Sequence, residues 1–110
     1  MTRLVSVSRG AVYLTAETCS TYFNGIDAAA LLIRDGALHV LPVSHVASGG
    51  ALLKIRNSSG DRVVAAPDLF AEHGLTDWQA SDIEAHWSSN DAALVIPLPG
   101  AQKLQTKFAK

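Results

Sequence analysis

The chain spells one order of segments twice: two short strand-prone runs, a brief helix, then two further strand-prone runs, with glycines at corresponding joints. Each unit carries an apolar side and too few strands to shield it, so the two must cover one another. In the first unit, Leu4, Val5 and Val7 make a β-prone run, Arg9 and Gly10 turn it, and Val12, Tyr13 and Leu14 make the second. Thr15 suits the N-cap of a helix over Ala16–Phe23, whose Ala16, Cys19, Tyr22 and Phe23 share a face; Asn24 and Gly25 supply a left-handed stop. Ala28–Arg34 is apolar on both faces. It joins Ala37–Val43 through Asp35 and Gly36, the strongest two-residue hairpin signal in the chain.

After a Ser- and Gly-rich joint, Ser44–Gly50, the order begins again. Ala51–Asn57 and Arg62–Ala65 read as a hairpin around Ser58, Ser59, Gly60 and Asp61. Pro67 at the first helical position, Asp68 at the positive end of the helix dipole and Gly74 as a stop predict a helix over Pro67–His73, with Leu75 folding back on Phe70. Thr76 with Gln79 resembles a capping box, whereas Ile83, Ala85 and Trp87 alternate with Glu84 and His86 as a strand does; the strand is the reading taken. Ser88–Asp91 then turn the chain into a final buried strand, Ala92–Leu98, ended by Pro97, Pro99 and Gly100.

Setting Gly10 on Gly60 and Gly25 on Gly74 lays Val12–Leu14 on Arg62–Val64 and one helix on the other. The expectation is a single α+β, strand-rich domain over residues 1–100. It is a small barrel-like sheet built from two ββαββ units, 3–43 and 51–98, with two short helices. Residues 101–110, with Lys103, Lys107 and Lys110, read as a flexible basic tail.

Composition narrows the function classes. The chain is 48% hydrophobic and 17% charged, against about 25% charged in ordinary globular proteins, so it packs a core. Nine Lys and Arg against ten Asp and Glu leave a net charge of −1, which supplies no general pull toward nucleic acid or anionic lipid. One cysteine, Cys19, excludes an internal disulfide and fits a reducing compartment. The opening MTRLVSVSRG has no signal-type apolar stretch and no run nears the roughly 18 residues of a membrane span, so a cytoplasmic protein without membrane contact is expected. Apolar strand surface in so short a chain predicts a homodimer.

The run from Arg9 and Gly10 through Val12, Tyr13, Leu14, Thr15, Ala16 and Glu17, then the short helix, Gly25, Ala30–Ile33, Asp35, Gly36 and Leu38–Pro42, resembles the AbrB and MraZ type of swapped-hairpin barrel. The resemblance runs over residues 4–43 and more loosely over 51–98. It implies a barrel of interleaved hairpins and a DNA-binding regulator or antitoxin acting as a dimer or tandem repeat. Thr15 stands where that family has proline, and Arg9-Gly10 reverses its usual order. The fold carries over more readily than the DNA contacts, because glycine and apolar placement set the former and positive side chains make the latter.

No pattern of catalytic or metal-binding residues emerges, and no cofactor is implied. Cys19 lacks a neighbouring base and reads as a buried small hydrophobe. His39, His45, His73 and His86 include no pair at helical metal-ligand spacing, and His73 suits a helix C-terminus. Asp77, Asp82, Glu84 and Asp91 read as a solvated face, and Ser58–Gly60 as a hairpin turn without the lysine and helix of a phosphate loop. The most localised positive feature is Lys54, Arg56 and Arg62: the first two project from one face, and the third is expected to join them across the hairpin to hold an anion or nucleic acid. Trp87 is in phase with the core, and Trp78 is the interface candidate.

These readings converge on a non-catalytic accessory or regulatory module that binds another macromolecule, a protein or DNA. One alternative is an AbrB-like DNA-binding regulator using Arg3 and Arg9 besides Lys54, Arg56 and Arg62. Another is a small ligand-binding barrel or enzyme, which needs a pocket where His39, His45 and Glu84 converge.

Overall fold

Both central residues of the Asp35 and Gly36 turn have positive φ, 55° and 74°. This is the type I′ geometry whose twist matches a two-residue hairpin, and it joins β3 (Ala28–Arg34) to β4 (Ala37–Val43) in full register. The computed structural model describes residues 2–44 and 50–99; the inner part of the Ser/Gly joint with His45, and the basic tail, lie outside the described residues. The other strands are β1 (Thr2–Ser8), β2 (Ala11–Leu14), β5 (Ala51–Leu52), β6 (Lys54–Ile55), β7 (Arg62–Ala65), β8 (Ala80–Ser88) and β9 (Ala93–Pro97). They form one sheet in the order β5-β3-β4-β9-β8-β1-β2-β7-β6.

The two ends of that order, β5 and β6, are successive in the chain and separated only by Leu53, so the sheet curls into a nearly closed barrel. The single strand expected over Ala51–Asn57 is therefore divided. Leu53 is buried and its N–H donates to the Asp27 carbonyl at 2.8 Å; β5 pairs with β3, and β6 crosses to β7. Val5, Val12, Leu38, Val40, Val64 and Ile96 fill the barrel interior, each no more than 2% exposed.

Two helices close the barrel's flanks. In α1 (Ala16–Tyr22) the Thr15 hydroxyl accepts from the Thr18 N–H at 3.2 Å, the expected N-cap. After α2 (Pro67–Glu72), Gly74 at φ 67° donates to Ala71 and Leu75 donates to Phe70 at 2.8 Å, the Schellman arrangement read from Gly74 and Leu75. Phe23 and Phe70 are the largest fully buried side chains. Thr76–Gln79 forms turn, not helix, before β8. Where β8 meets β1, Val5 lies opposite Ile83 but Val7 opposite Ala80, so Ser81 and Asp82 face Ser6 alone in a β-bulge with Asp82 at φ 55°.

Gly10 and Gly25 share a left-handed φ, 73° and 72°, in different surroundings. A Cβ on Gly10 would sit 3.0 Å from the Pro67 Cα, whereas on Gly25 it meets nothing within 4 Å. Urea unfolding should show Gly25→Ala losing about 1 kcal/mol from conformation alone and Gly10→Ala losing at least about 1 kcal/mol more, because backbone cannot move aside. Equal losses would contradict this contact.

Candidate functional site

The pairing register decides which cations meet. Lys54 and Tyr13 both lie opposite Val63, so β2, β7 and β6 turn these residues to one outer face. Just past β6, the Arg56 guanidinium lies 4.7 Å above the Tyr13 ring, while its backbone N–H donates to the Asp61 carbonyl at 2.7 Å. Such a cation–π contact contributes about 0.5–1 kcal/mol at an exposed site and favours this placement of the guanidinium over the ring. Ser6 sits opposite Tyr13, and a shallow groove of about 330 Å³ runs from Tyr13 and Arg56 to Gln79 and Ser81 of the bulge. A neighbouring recess of about 200 Å³ shares Ser6, Tyr13 and Arg56 and reaches Leu4 and Asp82.

Arg62 is not on this face. It lies opposite Leu14 and Ile55, and its guanidinium donates to the Ile26 carbonyl at 2.8 Å and stands 3.7 Å from the Asp27 carboxylate. The structure thus brings Lys54 and Arg56 together and sends Arg62 to brace the link between α1 and β3. Arg3 stands 3.1 Å from Glu17 and 5.6 Å above the Tyr22 ring, which stacks on Trp87 at 4.6 Å; Arg9 is an exposed turn residue at φ 52°. Trp78 is half-buried and stacks on Phe70 at 6.1 Å, so much of its ring is spent on packing α2.

The turn after β6 ties the halves together. Asp61 accepts the N–H of Ala16, the first residue of α1, at 2.8 Å, and its other oxygen accepts from the Asn57 amide at 3.0 Å; the Asn57 carbonyl in turn accepts from the N–H groups of Ser59 and Asp61. The Asn57 hydrogen bond, then the Ala16 N–H, hold the Asp61 carboxyl below its ordinary range. Cys19 is buried as expected, and burial pushes its thiol up, partly offset by Arg62. A concavity of about 560 Å³ opens between α1 and this turn and is lined by Cys19, Asn24, Gly60 and Arg62 among others.

The remaining titratable groups are dispersed. His39 is 5% exposed, its Nε2 3.8 Å from Asp91, which also accepts from Arg34 at 2.9 Å and from the Ser88 hydroxyl at 3.2 Å. Asp91 is thus engaged rather than part of a solvated face; Asp77, Asp82 and Glu84 are exposed. His73 Nδ1 lies 3.0 Å from the Leu69 carbonyl at the end of α2. Glu84 lies opposite Leu4 on the far side of β8 from β9, and no bond joins it to His39 among the described residues. Among those residues there is also no group of three or more His, Cys, Asp or Glu placed to hold a metal.

No family model, curated protein or solved structure matches the chain. The site rests on its own geometry. Sequence reasoning found Lys54 and Arg56 from strand alternation and missed Tyr13 beneath Arg56, and Asp61 at the start of α1. Asn57 and Asp61 carried a turn signal, but nothing local named a helix 45 positions away as its target.

Asp61 supplies a pH signature. A carboxyl with a depressed folded-state pKa adds stability that is fully present above its unfolded value, near 3.8, and is lost as pH falls through the lower folded value. Asn at this position retains an acceptor and removes the charge. Urea midpoints should differ between wild type and Asp61→Asn by a constant amount from neutral pH to about pH 5, the wild type being higher, and converge below about pH 4.

Proposed function

We propose that the chain is a non-catalytic accessory or regulatory module that binds an acidic surface of another protein through the Lys54, Arg56 and Tyr13 face. The observation that carries this reading is Arg56, stacked over Tyr13 on an open groove while the charged side chains of Arg3, Arg34, Asp61 and Arg62 are engaged within the fold. A guanidinium held in advance loses little freedom on meeting a carboxylate, and the tyrosine adds apolar area beside it. Two outward cations suit a small acidic patch better than a duplex, whose tight binding takes many phosphate contacts.

A second reading, an AbrB-like DNA-binding regulator, is favoured by the order of the barrel. Exchanging β1 with β5 and β6, β2 with β7, β3 with β8, and β4 with β9 returns the same set of pairings. Gly10 and Gly60 are both left-handed, as are Gly25 and Gly74. The Gly10 carbonyl accepts the Ala66 N–H before α2, much as Asp61 accepts the Ala16 N–H of α1. These correspondences support a barrel of two ββαββ units that exchange hairpins. The homodimer belongs to the proposal through Leu4, Leu52 and Ile55, large apolar side chains left exposed, and a cytoplasmic setting belongs to it as well. No helix among the described residues is long and apolar enough to cross a membrane.

Fluorescence anisotropy separates the readings with two labelled probes, an oligo-glutamate peptide and a mixed-sequence DNA duplex. The peptide should bind at low salt and lose at least about tenfold in affinity with Arg56→Ala combined with Lys54→Ala, a loss of about 1.4 kcal/mol. Unchanged peptide affinity would end the first reading. Duplex binding with a salt slope of about −5 or steeper would establish the second.

A further inference from the structure

The recess beside Arg56 holds an anion as well as a cation. Four residues other than glycine have left-handed backbone among the described residues: Arg9, Asp35 and Ala92 lie in turns, whereas Asp82 lies inside β8, at the β-bulge. A bulge re-aims a side chain, and a left-handed residue within a strand keeps that aim at a conformational cost. Ser6 lies opposite Tyr13 on one side and faces Ser81 and Asp82 on the other. Tyr13, with Arg56 above its ring, and the exposed Asp82 therefore stand two strand spacings apart, about 10 Å, in a recess that all three line. The other carboxylate of that recess, Asp61, is occupied by the Ala16 N–H and the Asn57 amide. Leu4, 49% exposed, adds apolar surface to the same recess.

We propose that Asp82 is a specificity-determining residue of this face, selecting an extended partner segment that presents a carboxylate to Arg56 and, two residues on, a lysine or arginine to Asp82. The proposal rests on the reading that the Lys54, Arg56 and Tyr13 face binds an acidic surface of another protein, and it narrows that surface to one of mixed charge. Alternate side chains of an extended segment project to one side about 7 Å apart, and the length of a Glu and a Lys side chain covers the remaining distance. A wholly acidic segment also satisfies Arg56, but it sets a second carboxylate against Asp82, and that like-charge contact disfavours it relative to the mixed segment.

Two labelled peptides of equal length, oligo-glutamate and a Glu-Ser-Lys-Ser repeat, test it by anisotropy at low salt with the full chain. Asp82→Asn removes the charge and keeps a residue type that accepts left-handed backbone. It should weaken the mixed peptide at least about threefold and tighten oligo-glutamate by a similar factor, the size of one exposed ion pair gained or lost. Asp82→Gly, which takes that backbone freely, should give the same opposed changes and carries the comparison if the Asn variant does not fold. Glu72→Gln makes the same charge change at the exposed end of α2 and should leave both affinities within about twofold. Changes of one sign for both peptides, no change, or equal changes with Glu72→Gln would each overturn the role of Asp82 while leaving the binding face standing. Failure of the unaltered chain to bind either peptide would overturn the face, and this proposal with it.

Discussion

The barrel depends on the crossing at Leu53. Within five residues the chain finishes pairing with β3 and begins pairing with β7, and that change of partner is what joins the two ends of the sheet. The crossing needs an apolar anchor and a satisfied backbone. Leu53 supplies the first by burial, and its bond to the Asp27 carbonyl supplies the second, where an orphaned N–H would cost about 1–3 kcal/mol. Lys54 and Arg56 keep their outward direction through the same crossing, because the alternation of exposed Leu52, buried Leu53 and exposed Lys54 runs on unbroken.

Polar cross-links then fix the two halves of the chain against each other. Ala16 to Asp61, Ala66 to Gly10 and Arg62 to Ile26 all run between segments distant in sequence. A sheet alone leaves helices free to slide over its surface; a bond to the first turn of a helix sets both its position and its rotation. Charged groups committed in this way are poorly suited to chemistry on a ligand, and Arg56, held only by an aromatic face, stands apart from them.

Local signals were legible and distant ones were not. Asp35 with Gly36, Thr15, and Gly74 with Leu75 each encode a geometry completed within a few residues, and each adopts it. The split of Ala51–Asn57 was hidden because Leu53 looks like any strand residue until its partners are known. Arg62 was expected beside Lys54 and Arg56; the one-residue parity of the β6–β7 register turns it to the opposite side. Asp91, whose neighbours suggested a solvated turn, gathers Arg34, Ser88 and His39 from three segments, a meeting that only the closed sheet creates.

The burial of Cys19 has a practical corollary. A thiol that is largely covered and pushed above its ordinary pKa reacts slowly with alkylating or disulfide reagents while α1 lies on the barrel, so labelling speed at this one position rises when the helix lifts. The chain carries its own gauge of breathing at the junction where Asp61 and Arg62 hold the helix, with no engineered probe required.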